Sequence, residues 1–257
     1  MPSIEELLHR RTDLSTFLVH FTRETDTAPR SARDKLVNIL HTRRLQARSA
    51  YGMATELAAR YPQVAVTQRV VCFTETPLEH AWMMCSPIEG RSVQFDGHGV
   101  AFTKTCARRK GVNPVWYLDM TPSGHDWLTE PVRELVEQAV VDATRKGTAG
   151  PDPEELAGAP ILRLTPFVEQ MGMPAAIRKE FWWEREWRHV GDLQFAPTDI
   201  VVAFAPQAEH DWLRERLAQS PHHLDGTLAF VDASWGLERM IGALAGVAGD
   251  NLGPFPT

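Results

Sequence analysis

The stretch Glu180-Phe-Trp-Trp-Glu184-Arg-Glu186-Trp-Arg188-His-Val190 carries three of the chain's eight tryptophans and a pair of carboxylates. Aromatic residues favour strands, and a strand sends successive side chains to opposite faces. Read as one strand, it puts Phe181, Trp183, Arg185, Trp187 and His189 on one face and Trp182, Glu184, Glu186, Arg188 and Val190 on the other. Trp183 and Trp187 then anchor a core, and Glu184 and Glu186 lie on the opposite surface about 6.5–7 Å apart at Cα. Carboxylates that close influence each other's ionisation, so one can stay charged while the other handles a proton. The same residues also read as a solvated charged face with Arg188 as an ion-pair partner. The flanking tryptophans argue for a central strand.

Size and composition bound the rest. A chain of 257 residues with 43% hydrophobic content can bury a sizeable core. A net charge of −6 and a pI near 5.9 exclude the general basic field that drives non-specific nucleic-acid binding. Local basic patches stay open, the clearest being Arg108-Arg109-Lys110 and then Arg43-Arg44, and either reads more readily as a solvated helix end than as a phosphate site. Cys72, Cys85 and Cys106 are widely spaced with no C-x-x-C pair, which argues against a disulfide framework or a structural zinc and fits a reducing cytoplasm. The amphipathic segment Ser3 to Arg11 lacks the apolar run of a signal peptide, and no run approaches a membrane span. A soluble cytoplasmic protein is expected.

In chain order, Thr16 to Thr22 reads as a buried strand carrying His20, and Ser31 caps a helix with Leu36, Ile39 and Leu40 on one face. Gln46 to Tyr61 reads as an inserted segment with a helix over Ala54 to Arg60 that could cover a cleft. Val66 to Glu75 is the second strand, ending in a polar Thr74-Glu75 pair before the helix Leu78 to Cys85. Strands over Val100 to Thr103 and Asn113 to Asp119 follow, then an amphipathic helix over Thr129 to Arg145. Lys146 to Pro153 reads as an exposed loop. After the central strand come a strand Asp199 to Phe204, a helix Gln207 to Ala218, an edge strand Leu228 to Val231 and a helix Trp235 to Ala245. Strands joined irregularly by helices, without a regular βαβ beat, give an α+β class. A single domain over residues 1–257 is expected, its core at about 14–206 with a helical extension over 207–257.

Phosphate-loop, Rossmann, H-E-x-x-H and G-x-S-x-G patterns are all absent, and His222-His223 beside Asp225 reads as a polar turn rather than a metal site. The motifs that remain are His20-Phe-Thr22, Cys72-Phe-Thr-Glu75-Thr-Pro77, Gly99-Val-Ala-Phe102, Asn113-Pro-Val-Trp-Tyr117 and Glu184-Arg-Glu-Trp-Arg188. In that order they are similar to the AbiGi-type abortive phage-resistance proteins, from about residue 16 to about 206.

The layout also resembles, more distantly, the ADP-ribosyltransferases of the E-x-E class. That resemblance implies a central mixed or antiparallel split sheet flanked by helices and NAD as substrate. It assigns Glu186 as the catalytic glutamate, Glu184 as its partner on the acceptor side, and His20 on the NAD ribose, with Thr22, Thr74 and Tyr117 as further NAD-binding positions. The chemistry suits those residues: loss of nicotinamide builds positive charge on the ribose, which a fixed carboxylate stabilises, while a second carboxylate deprotonates the acceptor.

Two readings stay open. One is a phage-defence enzyme modifying a nucleic acid or protein; the other is a non-enzymatic antitoxin or regulatory protein that binds the toxin of a paired system. A nuclease using the same carboxylates is a third and weaker reading, because no further acidic residue completes a two-metal site. The strand reading further predicts that Trp183 and Trp187 are core residues, that Glu184 and Glu186 line a cleft, and that Glu186→Gln leaves the melting temperature nearly unchanged.

Overall fold

A computed structural model of the chain describes residues 12–26, 29–49, 52–88, 91, 93–121, 129–144, 150–172, 179–219 and 228–247. The expected N-terminal helix, the His222-His223 turn and the C-terminal tail lie outside the described residues. The chain divides into two compact units that alternate along the sequence: Met1–Leu45, Phe73–Lys110 and Gln194–Thr257 form the first, and Gln46–Cys72 with Gly111–Leu193 the second.

In the first unit the strands run side by side in the order Ala229–Val231, Ile200–Phe204, Gly99–Thr103, Phe17–Phe21, followed by the end of Arg69–Thr74. Ala229–Val231 pairs parallel with Ile200–Phe204, and the other pairings are antiparallel, so the sheet is mixed and the class α+β. These are the most apolar runs of the chain, which is why they take the interior. Phe21 meets Phe204 at 5.4 Å and Phe73 meets Phe102 at 6.0 Å between ring centroids, in the tilted and edge-on arrangements that aromatic quadrupoles favour. Gly99 sits opposite Phe21, where an added Cβ would stand 2.5 Å from the His20 carbonyl oxygen, so only glycine lets the two strands approach. The helix Ala32–Thr42 starts at Ser31, whose side chain accepts from the Asp34 N–H, and buries Leu36, Ile39 and Leu40.

The second unit holds the strands Arg48–Ser49, the start of Arg69–Thr74 up to Cys72, Glu186–Val190 and Asn113–Pro114 in that order. A separate parallel pair joins Trp116–Asp119 to Val168–Met171. The expected strand over Asn113 to Asp119 is therefore two, since Val115 donates its N–H to the Glu186 carbonyl and the chain then changes partner. The inserted segment is no cover. Met53 and Leu57 of the helix Met53–Arg60 pack in the core with Val136, Leu156, Leu162 and Val168. Two short helices, Pro153–Gly158 and Pro160–Leu164, stand where the loop reading ended, the first capped by Asp152.

The stretch Glu180 to Val190 departs most from expectation. Trp182–Glu184 is a 3-10 turn, Arg185 has φ 47° in the left-handed region, and the strand begins only at Glu186. Glu184 and Glu186 are thus not alternate residues of one strand face. Trp183 and Trp187 are half-buried, and the fully buried side chain is Arg188.

Candidate functional site

Arg188 is the largest fully buried side chain, and a guanidinium cannot shed its charge, so its neighbours must supply countercharge and acceptors. Strand alternation brings Glu186 to the same face two residues earlier. Nε donates to Glu186 Oε1 at 2.9 Å and Nη2 to Oε2 at 2.8 Å, a bidentate pair. Nη2 also donates to Glu169 Oε2 at 2.6 Å, and Nη1 donates to the Pro166 carbonyl at 2.8 Å. Lys179 closes the set through an ion pair with Glu169 Oε1. Two carboxylates face two cations, so the cluster is neutral.

Three further residues frame it. The Tyr117 hydroxyl oxygen accepts the Glu186 N–H at 3.0 Å. Burial pushes the Tyr117 phenol well above its ordinary range. The Cys72 thiol hydrogen-bonds to Glu186, and burial first and the Glu186 charge second raise its pKa, keeping it a neutral donor. Gly52, at φ +66°, lies against the Glu169 carboxylate, where a Cβ would fall 2.5 Å from Oε1. Burial pulls the Arg188 pKa down, but the Glu186 charge and hydrogen bonds outweigh it and hold the guanidinium protonated.

Of the positions singled out in the sequence, Glu186 and Tyr117 meet here. Glu184 lies on the preceding 3-10 turn, half-buried. His20, Thr22 and Thr74 belong to the other unit. Thr22 Oγ1 reaches the Ala32 carbonyl at 2.9 Å and the His98 carbonyl at 3.2 Å, while Thr74 Oγ1 pairs with Thr76 Oγ1 at 2.7 Å. His20 packs edge-on against Phe73 at 5.8 Å.

Sequence reasoning missed Glu169, Lys179 and the thiol of Cys72. The Arg188 of the E-x-E-W-R motif was the one pointer to them, because a buried arginine requires acidic partners. The expectation that Glu186→Gln leaves stability untouched assumes a carboxylate without a buried partner, and Glu186 has one in Arg188. Both its oxygens already accept from Arg188 and its charge is neutralised in place, so the arrangement suits a fixed structural counterion better than a proton carrier. No group of three or more His, Cys, Asp or Glu among the described residues is arranged to hold a metal ion, and no described helix is long and apolar enough to cross a membrane.

No curated protein and no solved structure matches the chain, so the transferase resemblance gains no support from either. A family match does exist, and it takes in every residue of the ion-pair cluster as well as four of the five sequence motifs, leaving His20 to Thr22 outside. Residues 48–211, more than half of the chain, match the family described as abortive phage resistance protein AbiGi, antitoxin, and the chain belongs to that family.

Proposed function

We propose that this chain acts in abortive phage resistance as the antitoxin of a pair, binding a toxin protein rather than modifying a macromolecule with NAD. The family match over residues 48–211 carries the reading. The geometry of Glu186 supports it. A carboxylate meant to stabilise a ribosyl cation must present its charge to the substrate. Here both oxygens of Glu186 are taken by Arg188 at 2.9 and 2.8 Å, and Cys72 adds a further hydrogen bond. The ion-pair cluster then serves to hold the Glu186 strand in place within its unit.

The test has two arms. Cells expressing the paired toxin should stop growing, and coexpression of this chain should restore growth. Purified chain incubated with labelled NAD and a mixture of cell protein and nucleic acid should transfer no label. Label transfer by the wild type that Glu186→Gln abolishes, in a variant shown to be folded at the assay temperature, would overturn the proposal in favour of the transferase.

A further inference from the structure

The chain is acidic overall, yet its charges are unevenly placed. Residues 35–55 and 97–118 each hold four Lys or Arg and no Asp or Glu. The fold brings Arg43-Arg44 of the first run and Arg108-Arg109-Lys110 of the second together within the first unit. The peptide group between Gln194 and Phe195 is the join: its carbonyl accepts from Lys110 Nζ at 3.2 Å, and its N–H donates to the Arg43 carbonyl at 3.1 Å. Arg43 ends the helix Ala32–Thr42 with φ 52° in the left-handed region, and Arg44 follows it exposed. Arg108 and Arg109 are exposed at the end of the helix Lys104–Arg109. Asp199 offsets Lys110 at 2.9 Å and Arg44 has a partner of its own, whereas Arg43, Arg108 and Arg109 form no ion pair with another described residue. A cavity of about 450 Å³ opens beside Arg109 and Lys110, lined also by Thr103, Cys106, Thr198, Val201 and the Asp199 carboxylate that offsets Lys110.

We infer that this surface binds the phosphodiester backbone of a nucleic acid. Each arginine presents a planar fork that matches two phosphate oxygens, which a lysine point charge does not. The two arginine pairs stand on different elements linked through one peptide group, which meets the Arg43 carbonyl on one side and the Lys110 ammonium on the other, and two separate pairs suit successive phosphates better than a single small anion. Binding is by charge, without base reading, and is therefore weak and salt-sensitive. Four phosphate contacts give log K a slope of about −3.6 against log salt on duplex DNA, so affinity falls roughly a hundredfold from 50 to 200 mM.

The experiment is fluorescence anisotropy with a labelled 20-base-pair DNA duplex and, separately, a labelled 20-nucleotide RNA, with the full chain at 50 to 200 mM salt. The variants are Arg43→Asn/Arg44→Gln, Arg108→Gln/Arg109→Gln and all four together, each checked by its melting curve. Asn is chosen at 43 because it tolerates a positive φ. Each pair should cut affinity at 50 mM by at least about tenfold and lower the slope by about half, and the fourfold variant should lose binding. Arg214→Gln/Arg216→Gln, on the helix His210–Ala218, should bind like the wild type. The arm that binds tells which nucleic acid the surface prefers. No binding by the wild type at 50 mM, binding to heparin but to neither nucleic acid, or equal binding by the fourfold variant would each overturn the inference.

Discussion

Glu186→Gln is the substitution on which the structure and the strand reading disagree most. Gln keeps the shape of Glu186 and one carbonyl acceptor but places an NH2 group where an oxygen accepts from Arg188 Nη2 at 2.8 Å, so a donor faces a donor. A hydrogen bond to a charged group contributes about 1.5–3 kcal/mol, and breaking a buried pair by removing one partner costs about 3–5 kcal/mol. Two observations pull the value to the lower end of that range. Glu169 remains bound to Arg188 at 2.6 Å, and the Glu186 side chain is 19% exposed. A loss of about 3 kcal/mol lowers the melting temperature by roughly 6–12 °C for a chain of this size.

The assay is thermal unfolding at pH 7 followed by tryptophan fluorescence, applied to Glu186→Gln, Arg188→Met and the double variant. Arg188→Met leaves Glu186 and Glu169 facing each other without their shared cation, so it should cost at least as much. The double variant should be less damaging than the sum of the two, with a coupling of about 2 kcal/mol or more, because each single change strands the other partner's charge. Raising salt from 0.05 to 0.5 M should change that coupling little, since a buried pair is screened far less than a surface pair such as Arg60 with Glu137. A Glu186→Gln protein that melts within 1 °C of the wild type, or costs that simply add, would refute the view that this pair is buried and structural.

Gly52→Ala should destabilise by about 2–3 kcal/mol, combining the strain of a positive φ with displacement of the Glu169 carboxylate from a Cβ 2.5 Å away; urea unfolding measures it. Burial depresses the pKa of His210, whose Nε2 meets the Ala205 carbonyl at 2.9 Å. The unfolded imidazole takes up a proton below about pH 6.5 while the folded one stays neutral, so this contribution is full above that pH and is lost as pH falls towards the folded value. The stability gap between wild type and His210→Gln should therefore narrow from pH 7.5 to pH 5 in parallel denaturation curves. All three cysteines should alkylate more slowly in the native protein than in the urea-unfolded chain at pH 7.5. Burial raises the Cys72 thiol well above its ordinary value, raises Cys85 to about 11 and raises Cys106, so mass spectrometry should find all three less modified in the native protein than in the unfolded chain.

The parts of the fold that could be read from the sequence are those where one physical term dominates. Phe17–Phe21, Gly99–Thr103 and Ile200–Phe204 are nearly continuous apolar runs, and any pairing that buries them yields strands. The helix Ala32–Thr42 announces itself with Ser31 as cap and an apolar stripe behind it. Val168–Met171 gave no such signal, because two of its four residues, Glu169 and Gln170, are polar. Its partner Trp116–Asp119 was merged with Asn113–Pro114 for a related reason. Periodicity cannot show where a strand changes its neighbour. The helix Pro153–Gly158 does carry readable start signals in Asp152 and Pro153, but the Gly and Pro content around them reads as an exposed loop.

The site shows why alternation alone misled. A period of two holds only while every residue stays extended, and one left-handed residue resets it. Arg185 is that residue, at φ 47°, and nothing at the position warns of it, since neither glycine nor asparagine stands there. Before it, Glu184 belongs to a 3-10 turn; after it, Glu186 opens the strand and shares a face with Arg188. The two carboxylates that look alike in the sequence thus enter different environments. What decides the behaviour of Glu186 is Arg188, and what permits Arg188 to be fully buried is Glu169, seventeen positions before Glu186 on a strand the sequence did not reveal. A charged residue is almost never buried unless paired, so the informative reading of the motif begins from its arginine and asks which acids must surround it.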